Sequence, residues 1–287
     1  MRTVCLGILK GIVLLTAVAL PLYAEDTGTE KEVPVETDTQ SLAKKLQNPM
    51  AKLISVPLQN NFEYKLGPKG KGYRYTLRFQ PVIPMTLNDN WNLVLRPIIP
   101  FIHQSEVITN TEQEGLGDIE LEPIFSHRKP GIGGFNWGVG PVLLFPTAAS
   151  EHLGSQKWGI GPHGVLIKQT GPWTRFILAN HLWSYAGNDK REDISETYLQ
   201  PVLAHSSKKG FTIAASSETT YDWKDRQWTI PLIGTVSQIF PLSGRYASIG
   251  IGGIYYLEAP RGGPQWGIRL TLTFVFPKGP QQSEKVK

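Results

Sequence analysis

A set of charged residues stands in strict alternation with apolar neighbours. Arg74 and Arg78 lie in "YRYTLRF", Arg96 in "LVLRPII", Asp118, Glu120 and Glu122 in "GDIELEPIF", and Arg269 in "WGIRLTLTF". A period of two puts such residues on one face of a strand and the apolar residues on the other. If the apolar faces meet lipid, both signs of charge point into one interior. Two chemistries follow. Opposed charges can line a pore and orient a passing solute, or they can pair and fill a narrow interior. The residues alone leave both open.

Other chemistry has less support. His103, His127, His152, His163, His181 and His205 are scattered without metal-ligand spacing, so no metal or other cofactor is expected. His205 and Ser207 stand two apart in "HSS", the spacing of a base and nucleophile on one strand face and the basis of a lipid-hydrolase alternative. A polar strand end beside Lys208 and Lys209 explains the same residues without catalysis, and the expectation is a protein that is not an enzyme. "GIGGFNWGVG" is glycine-rich, but no helix follows it, so it is not a phosphate loop. Its glycines suit bends, or bulky neighbours inside a barrel.

The elements that must position these charges repeat one pattern. From Leu53 to Phe276 the chain reads as alternating segments beginning near Leu53, Tyr73, Trp91, Gly117, Phe135, Lys157, Trp173, Ser195, Phe211, Gln227, Arg245 and Trp266. The segment from Trp173 to Tyr185 has no clear polar face. Tight turns such as "NDN", "TGP" and "LSG" alternate with longer charged links such as "SEVITNTEQEG" and "GNDKREDI". The expectation is an all-β fold, a transmembrane antiparallel up-and-down β-barrel of about 12 strands over residues 51–277. Trp91, Trp137, Trp158, Trp173, Trp228 and Trp266 fall at strand starts and Trp223 at a strand end, as in the aromatic girdles of barrels. Proline recurs inside the strands at Pro81, Pro97, Pro123, Pro141, Pro162 and Pro201. A closed barrel has no edge to accommodate it, so bulges or ladder gaps are expected there at a common depth.

The N-terminus bounds the compartment. A basic start, an apolar run from Gly11 to Leu22 and a small residue at Ala24 predict a cleaved signal peptide over residues 1–24. The only cysteine, Cys5, lies within it, which excludes disulfide and thiol chemistry in the mature chain. Loss of Arg2 and Lys10 lowers the formal charge from +5 to +3, which argues against nucleic acid as a partner. Residues 25–50 read as a disordered periplasmic leader with a short helix at 41–47, and residues 278–287 as a periplasmic tail. No apolar run after residue 24 is long enough for a membrane helix, so a spanning structure must use strands.

"NPMAKLISVPLQNNF", "DNWNLVLRPIIP", "GLGDIELEPIF", "WGVGPVLLFPTA", "LGSQKWGIGP" and "LANHLWSYAG" resemble a family of bacterial outer-membrane transporters named for the meta-pathway of phenol degradation. Some of its members carry the label neuromedin U. The likeness spans about Leu42 to Lys278 and implies an outer-membrane barrel with a transport role, no established solute and no functional residues to carry over. The last strand also resembles the signal read by the barrel-assembly machinery, through Gln265, Gly267, Leu270, Leu272 and Phe276. The partners expected are therefore outer-membrane lipid, the assembly machinery and a small solute. The function expected is passive passage of small solutes, hydrophobic or aromatic ones suggested by the family name alone. A non-conducting structural barrel, the hydrolase and a soluble secreted β-sandwich are the alternatives.

Overall fold

The computed structural model describes residues 39–108 and 111–277. The expected signal peptide, the leader before residue 39 and the tail from residue 278 lie outside the described residues. A helix, α1 (Thr39–Leu46), precedes β1 (Leu53–Leu66), β2 (Gly72–Phe79), β3 (Ile83–Thr86), β4 (Trp91–Ser105), β5 (Glu112–Leu116) and β6 (Ile119–His127). There follow β7 (Asn136–Phe145), β8 (Lys157–Thr170), β9 (Trp173–Gly187), β10 (Ser195–Ser206), β11 (Phe211–Ser217), β12 (Thr219–Asp222), β13 (Gln227–Leu242), β14 (Arg245–Glu258) and β15 (Trp266–Pro277).

Every pairing is antiparallel, and the sheet closes on itself. β15 pairs with β1 in an unbroken register from Leu53↔Pro277 to Tyr64↔Trp266. Three staves of the barrel are each made of two strands in line. β2 and β3 pair with the two halves of β4, as do β5 and β6, while β11 and β12 lie end to end between β10 and β13. Counted as staves, the result is the closed 12-strand antiparallel barrel that the alternation predicts.

The barrel is inside out. Ile160, Leu166, Ile177, Leu203, Ile213, Leu232, Ile249, Ile251 and Leu270 are large, apolar and exposed, on β8 through β15. Asn61, Gln104, Glu122, His163, Ser248, Arg269 and Thr273 are polar and buried. A soluble protein buries the first set and exposes the second; a barrel in a bilayer does the reverse.

The sequence-predicted ladder gaps are present, each of the six prolines standing at a lapse on one of its two sides. The ladder lapses at Pro81 between β2 and β3, at Pro123 and Pro141 between β6 and β7, and at Pro162 between β8 and β9. Pro97 and Pro201 keep register with one neighbour, Leu121 and Ile177, but on the other side each stands opposite a break, between β2 and β3 and between β11 and β12. At two of the lapses a glycine takes the approaching strand. A Cβ on Gly140 would collide with the Pro123 carbonyl, and one on Gly161 with the His181 carbonyl. Proline removes a donor, and glycine lets the freed backbone draw in.

The short turns lie at one end of the barrel and the longer links at the other. At the turn end the interior is apolar. Leu42 and Ala43 of α1 pack with Ala51, Leu53, Ile239 and Val275. Met50 packs against another part of the wall, with Val94, Ile124, Val165, Ile167 and Leu178. The segment from Thr39 to Ala51 thus lies across the turn-end mouth. It is fastened by Gln40 Nε2 to the Ser206 carbonyl at 2.7 Å and by Gln169 Nε2 to the Lys44 carbonyl at 2.8 Å. The expected helix at 41–47 is there, two residues earlier at its start and one at its end.

Candidate functional site: a charged waist in the lumen

Above the apolar end, the interior carries a belt of charge. Arg269 faces inward because β15 alternates and its other face, with Ile268 and Leu270, points outward. Its guanidinium grips Glu218 with two bonds, Nη1 to Oε1 at 2.6 Å and Nη2 to Oε2 at 3.1 Å. Its Nε donates to Asn61 Oδ1 at 2.8 Å. Glu218 also accepts from Arg78 Nη1 at 3.2 Å. Glu218 lies between β11 and β12, and Arg78 on β2 is nearly diametrically across the barrel. The Arg269–Glu218–Arg78 triad is therefore a brace across the lumen.

A second group sits on the neighbouring wall. Arg96 Nη1 donates to Glu122 Oε2 at 2.6 Å, and its Nη2 to Gln80 Oε1 at 3.1 Å. Glu120 lies within electrostatic reach of both Arg78 and Arg96, and Glu196 on β10 within reach of Glu120. His163 is 3% exposed beside this group, and neither ring nitrogen has a hydrogen-bond partner among the described residues. Towards the loop end, Arg74 Nε donates to Gln104 Oε1 at 2.8 Å and Tyr256 donates to Glu63.

Of the charged residues singled out in the sequence, the structure brings Arg78, Arg96, Glu120, Glu122 and Arg269 to the waist. Arg74 is inward but nearer the loops. Asp118 has a different task. It accepts from the backbone of Ala148 at 3.1 Å and of Ser155 at 2.6 Å, and from the Ser155 hydroxyl at 2.7 Å. It anchors the β7–β8 link and offers no free charge to the lumen. Glu218, the centre of the brace, is absent from the sequence reading. It lies in "SSETT", where the strand breaks and alternation gives no face; "STY"-rich polarity around a lone carboxylate is the only local signal.

The tryptophans fall in two tiers. Trp91 and Trp137 meet edge to face at 5.7 Å near the turn end, and Trp173 meets His205 at 4.9 Å there. At the loop end Trp158 meets Phe145 at 5.7 Å, Trp266 stacks on Tyr64 at 4.5 Å, and Trp223 and Trp228 flank Tyr221. In the closing strand, Gly267 admits the Phe62 carbonyl, which a Cβ would meet at 2.7 Å. Phe276 lies under the Arg245 guanidinium at 4.9 Å. Ser207 Oγ accepts from the Phe211 amide at 3.1 Å and closes the β10–β11 turn. Among the described residues no cluster of three or more metal-ligating side chains occurs.

At the loop end Lys157 Nζ meets Asp193 Oδ1 at 2.8 Å. The Lys157 bond, with a second from Ser184, holds the Asp193 carboxyl below its ordinary pKa.

Fold and waist together define a closed, lipid-facing β-barrel with a polar, braced lumen and one mouth crossed by its own N-terminal segment. No family model matches the chain, and no curated protein matches it. Among solved structures, an outer membrane channel from Pseudomonas putida F1 has a similar fold, with a TM-score of 0.61 at 15% identity over 78% of this chain and 94% of that one. OprB from Pseudomonas putida, at a TM-score of 0.30, 9% identity and coverage of 84% and 98%, is too distant to bear on the argument.

Proposed function

We propose that this chain is a channel of the bacterial outer membrane for small solutes with an apolar body, aromatic ones included, and that the described state is its closed form. The observation that carries this is the braced waist inside a barrel with an apolar outer surface. An interior of opposed charges, continued at the turn end by an apolar wall under a separable segment, suits a path that can be opened. The similarity in fold to the Pseudomonas putida channel supports the reading.

We place the start of opening at the weaker arm of the brace. The Arg269 arm of the brace is two-pronged and 9% exposed, whereas the Arg78 arm is a single 3.2 Å contact to a side chain 39% exposed. Water competes for the second arm and hardly for the first. Parting Arg78 from Glu218 frees the centre of the lumen while Glu218 stays with Arg269. The mouth then requires α1 and Met50 to leave. The wall they cover, with Val94, Ile124 and Val165, fits an apolar solute body better than a hydrated ion.

Single-channel recording in planar bilayers tests this. The full chain is expected to show rare, small openings, and a chain lacking residues 39–52 a steady conductance. Leu42→Asp, which leaves the chain length intact but dislodges α1, is expected to act in the same direction. Silence of all three proteins at every voltage, with folding verified by heat-modifiable gel mobility, would instead support a sealed structural barrel. We read the protein as non-enzymatic, and unchanged lipid turnover on Ser207→Ala is the matching expectation.

A further inference from the structure

The charges at the turn end are one-sided. Between Arg128 and Gly187 the sequence has a single acidic residue, Glu151, and it lies in the link at the loop end. The same stretch places Lys129, Lys168 and Arg175 at the turn end, and Lys208, Lys209 and Arg245 join them from later turns and strands. The described acidic residue of this end is Asp89, 3.8 Å from Arg128.

Two of these cations form a pair that the fold does not explain. Lys168 on β8 and Arg175 on β9 are direct cross-strand partners. Both point outward, since they share the register of the exposed Leu166 and Ile177. Like charges directly opposite one another destabilise a sheet. No carboxylate lies within ion-pair distance of either among the described residues. Their surroundings are ordered in rows. On the mid-barrel side, Trp137, Leu166, Ile177 and Pro201 form an apolar row. On the rim side lie Trp173 and His205, in edge contact at 4.9 Å. In the cations' own row, Phe135 carries the Lys168 ammonium at 4.9 Å and Leu203 flanks Arg175. The pair therefore lies between an apolar belt and an aromatic rim, the level at which a bilayer presents its headgroups.

We propose that Lys168 and Arg175 form a binding site for the phosphate of an anionic phospholipid in the leaflet at the turn end. Cross-strand neighbours are about 5 Å apart at the backbone, so both heads reach one phosphate. Arg supplies a fork for two phosphate oxygens and Lys a point charge. The acyl chains then run along the Leu166–Ile177 row, with Trp173 at the glycerol level. The proposal rests on the reading of the protein as a bilayer-spanning barrel, and it gives that barrel a fixed lipid on one flank.

Native mass spectrometry of the full chain tests it, after reconstitution in equimolar phosphatidylglycerol and phosphatidylcholine and extraction into mild detergent. Retained phosphatidylglycerol should exceed phosphatidylcholine by about 25-fold, about fivefold for each cation. Arg175→Gln should reduce the preference by about fivefold, and Lys168→Gln with Arg175→Gln should bring it close to parity. Arg175→Lys should keep most of it. Millimolar inorganic phosphate should not displace the lipid; displacement would make the site one for the free anion and overturn the lipid assignment. Equal retention of the two lipids by the unaltered chain, or an undiminished preference in the double variant, would also overturn it. Heat-modifiable mobility of each protein in phosphatidylcholine alone reports barrel insertion separately. A chain that fails there refutes the membrane reading itself, whereas one that inserts but shows no preference refutes only the site.

Discussion

Glu218→Gln removes one charge from the centre of the brace and changes almost no volume. Arg269, 9% exposed, then keeps its bond to Asn61 and one amide oxygen but loses its counter-ion. Breaking a buried pair costs about 3–5 kcal/mol, and the retained amide acceptor argues for the lower end, about 3 kcal/mol. The Arg78 arm adds little. With 39% of that side chain exposed, solvent screening leaves at most about 1 kcal/mol. Urea unfolding in lipid vesicles, followed by tryptophan fluorescence, should show the difference. With a slope of about 3 kcal/mol per molar urea, Glu218→Gln should lower the midpoint by about 1 M, and Arg78→Gln by about a third of that. Replacing Arg269 and Glu218 together by leucine should recover much of the loss, since the charge left without its partner, Arg78, is 39% exposed and can be solvated. In bilayers Glu218→Gln and Arg78→Gln should both raise the open probability, because each frees the lumen's centre. If Glu218→Gln matched the unaltered protein in both assays, or if both single variants lost equal stability, the brace would not be the structural tie described.

Three further outcomes follow from separate parts of the molecule. Gly161→Val should prevent the heat-modifiable barrel from forming, because any side chain there meets the His181 carbonyl, whereas Gly171→Ala, in a turn with open space, should fold with only the modest strain of its positive φ. Met50→Ala should lower stability by about 2–3 kcal/mol through lost packing on Ile124 and Val165 and should also raise conductance. Asp193 is held ionised by Lys157, so its folded pKa lies below the unfolded value. The contact is intact at neutral pH and through the ordinary carboxylate range near 4, and is lost only as pH falls below that. Carbon-13 NMR of the Asp193 carboxyl should give a midpoint under the ordinary value, and Lys157→Met should move it up; an unmoved midpoint would remove Lys157 as the cause.

Two regions show why some faces are legible from sequence and others are not. On β15 the lumen is polar, so Arg269, Thr271 and Thr273 alternate cleanly with Ile268, Leu270 and Leu272. On β9 the lumen at the turn end is apolar, so Phe176 and Leu178 face inward while Trp173 and Ile177 face outward. Both faces then read as hydrophobic, and alternation carries no signal. The prolines show the same limit. Sequence marks where a donor is missing, but which of the two neighbouring strands loses its ladder there, β9 beside Pro162 or β2 and β3 beside Pro97, is decided by the register of the closed sheet.

By itself the sequence determined the number and direction of the staves, the apolar outer surface and the inward face of Arg78, Arg96 and Arg269. Each of these is a local property: a period of two, a turn, a rim aromatic. Only the tertiary structure decided the partners. Glu218 meets Arg269 and Arg78 because closure brings walls far apart in the chain to opposite sides of one lumen. Asp118, identical in pattern to Glu120 and Glu122, was taken by a loop instead. Ion pairing depends on separation in space, and the separation of strands across a barrel is set by how the sheet closes.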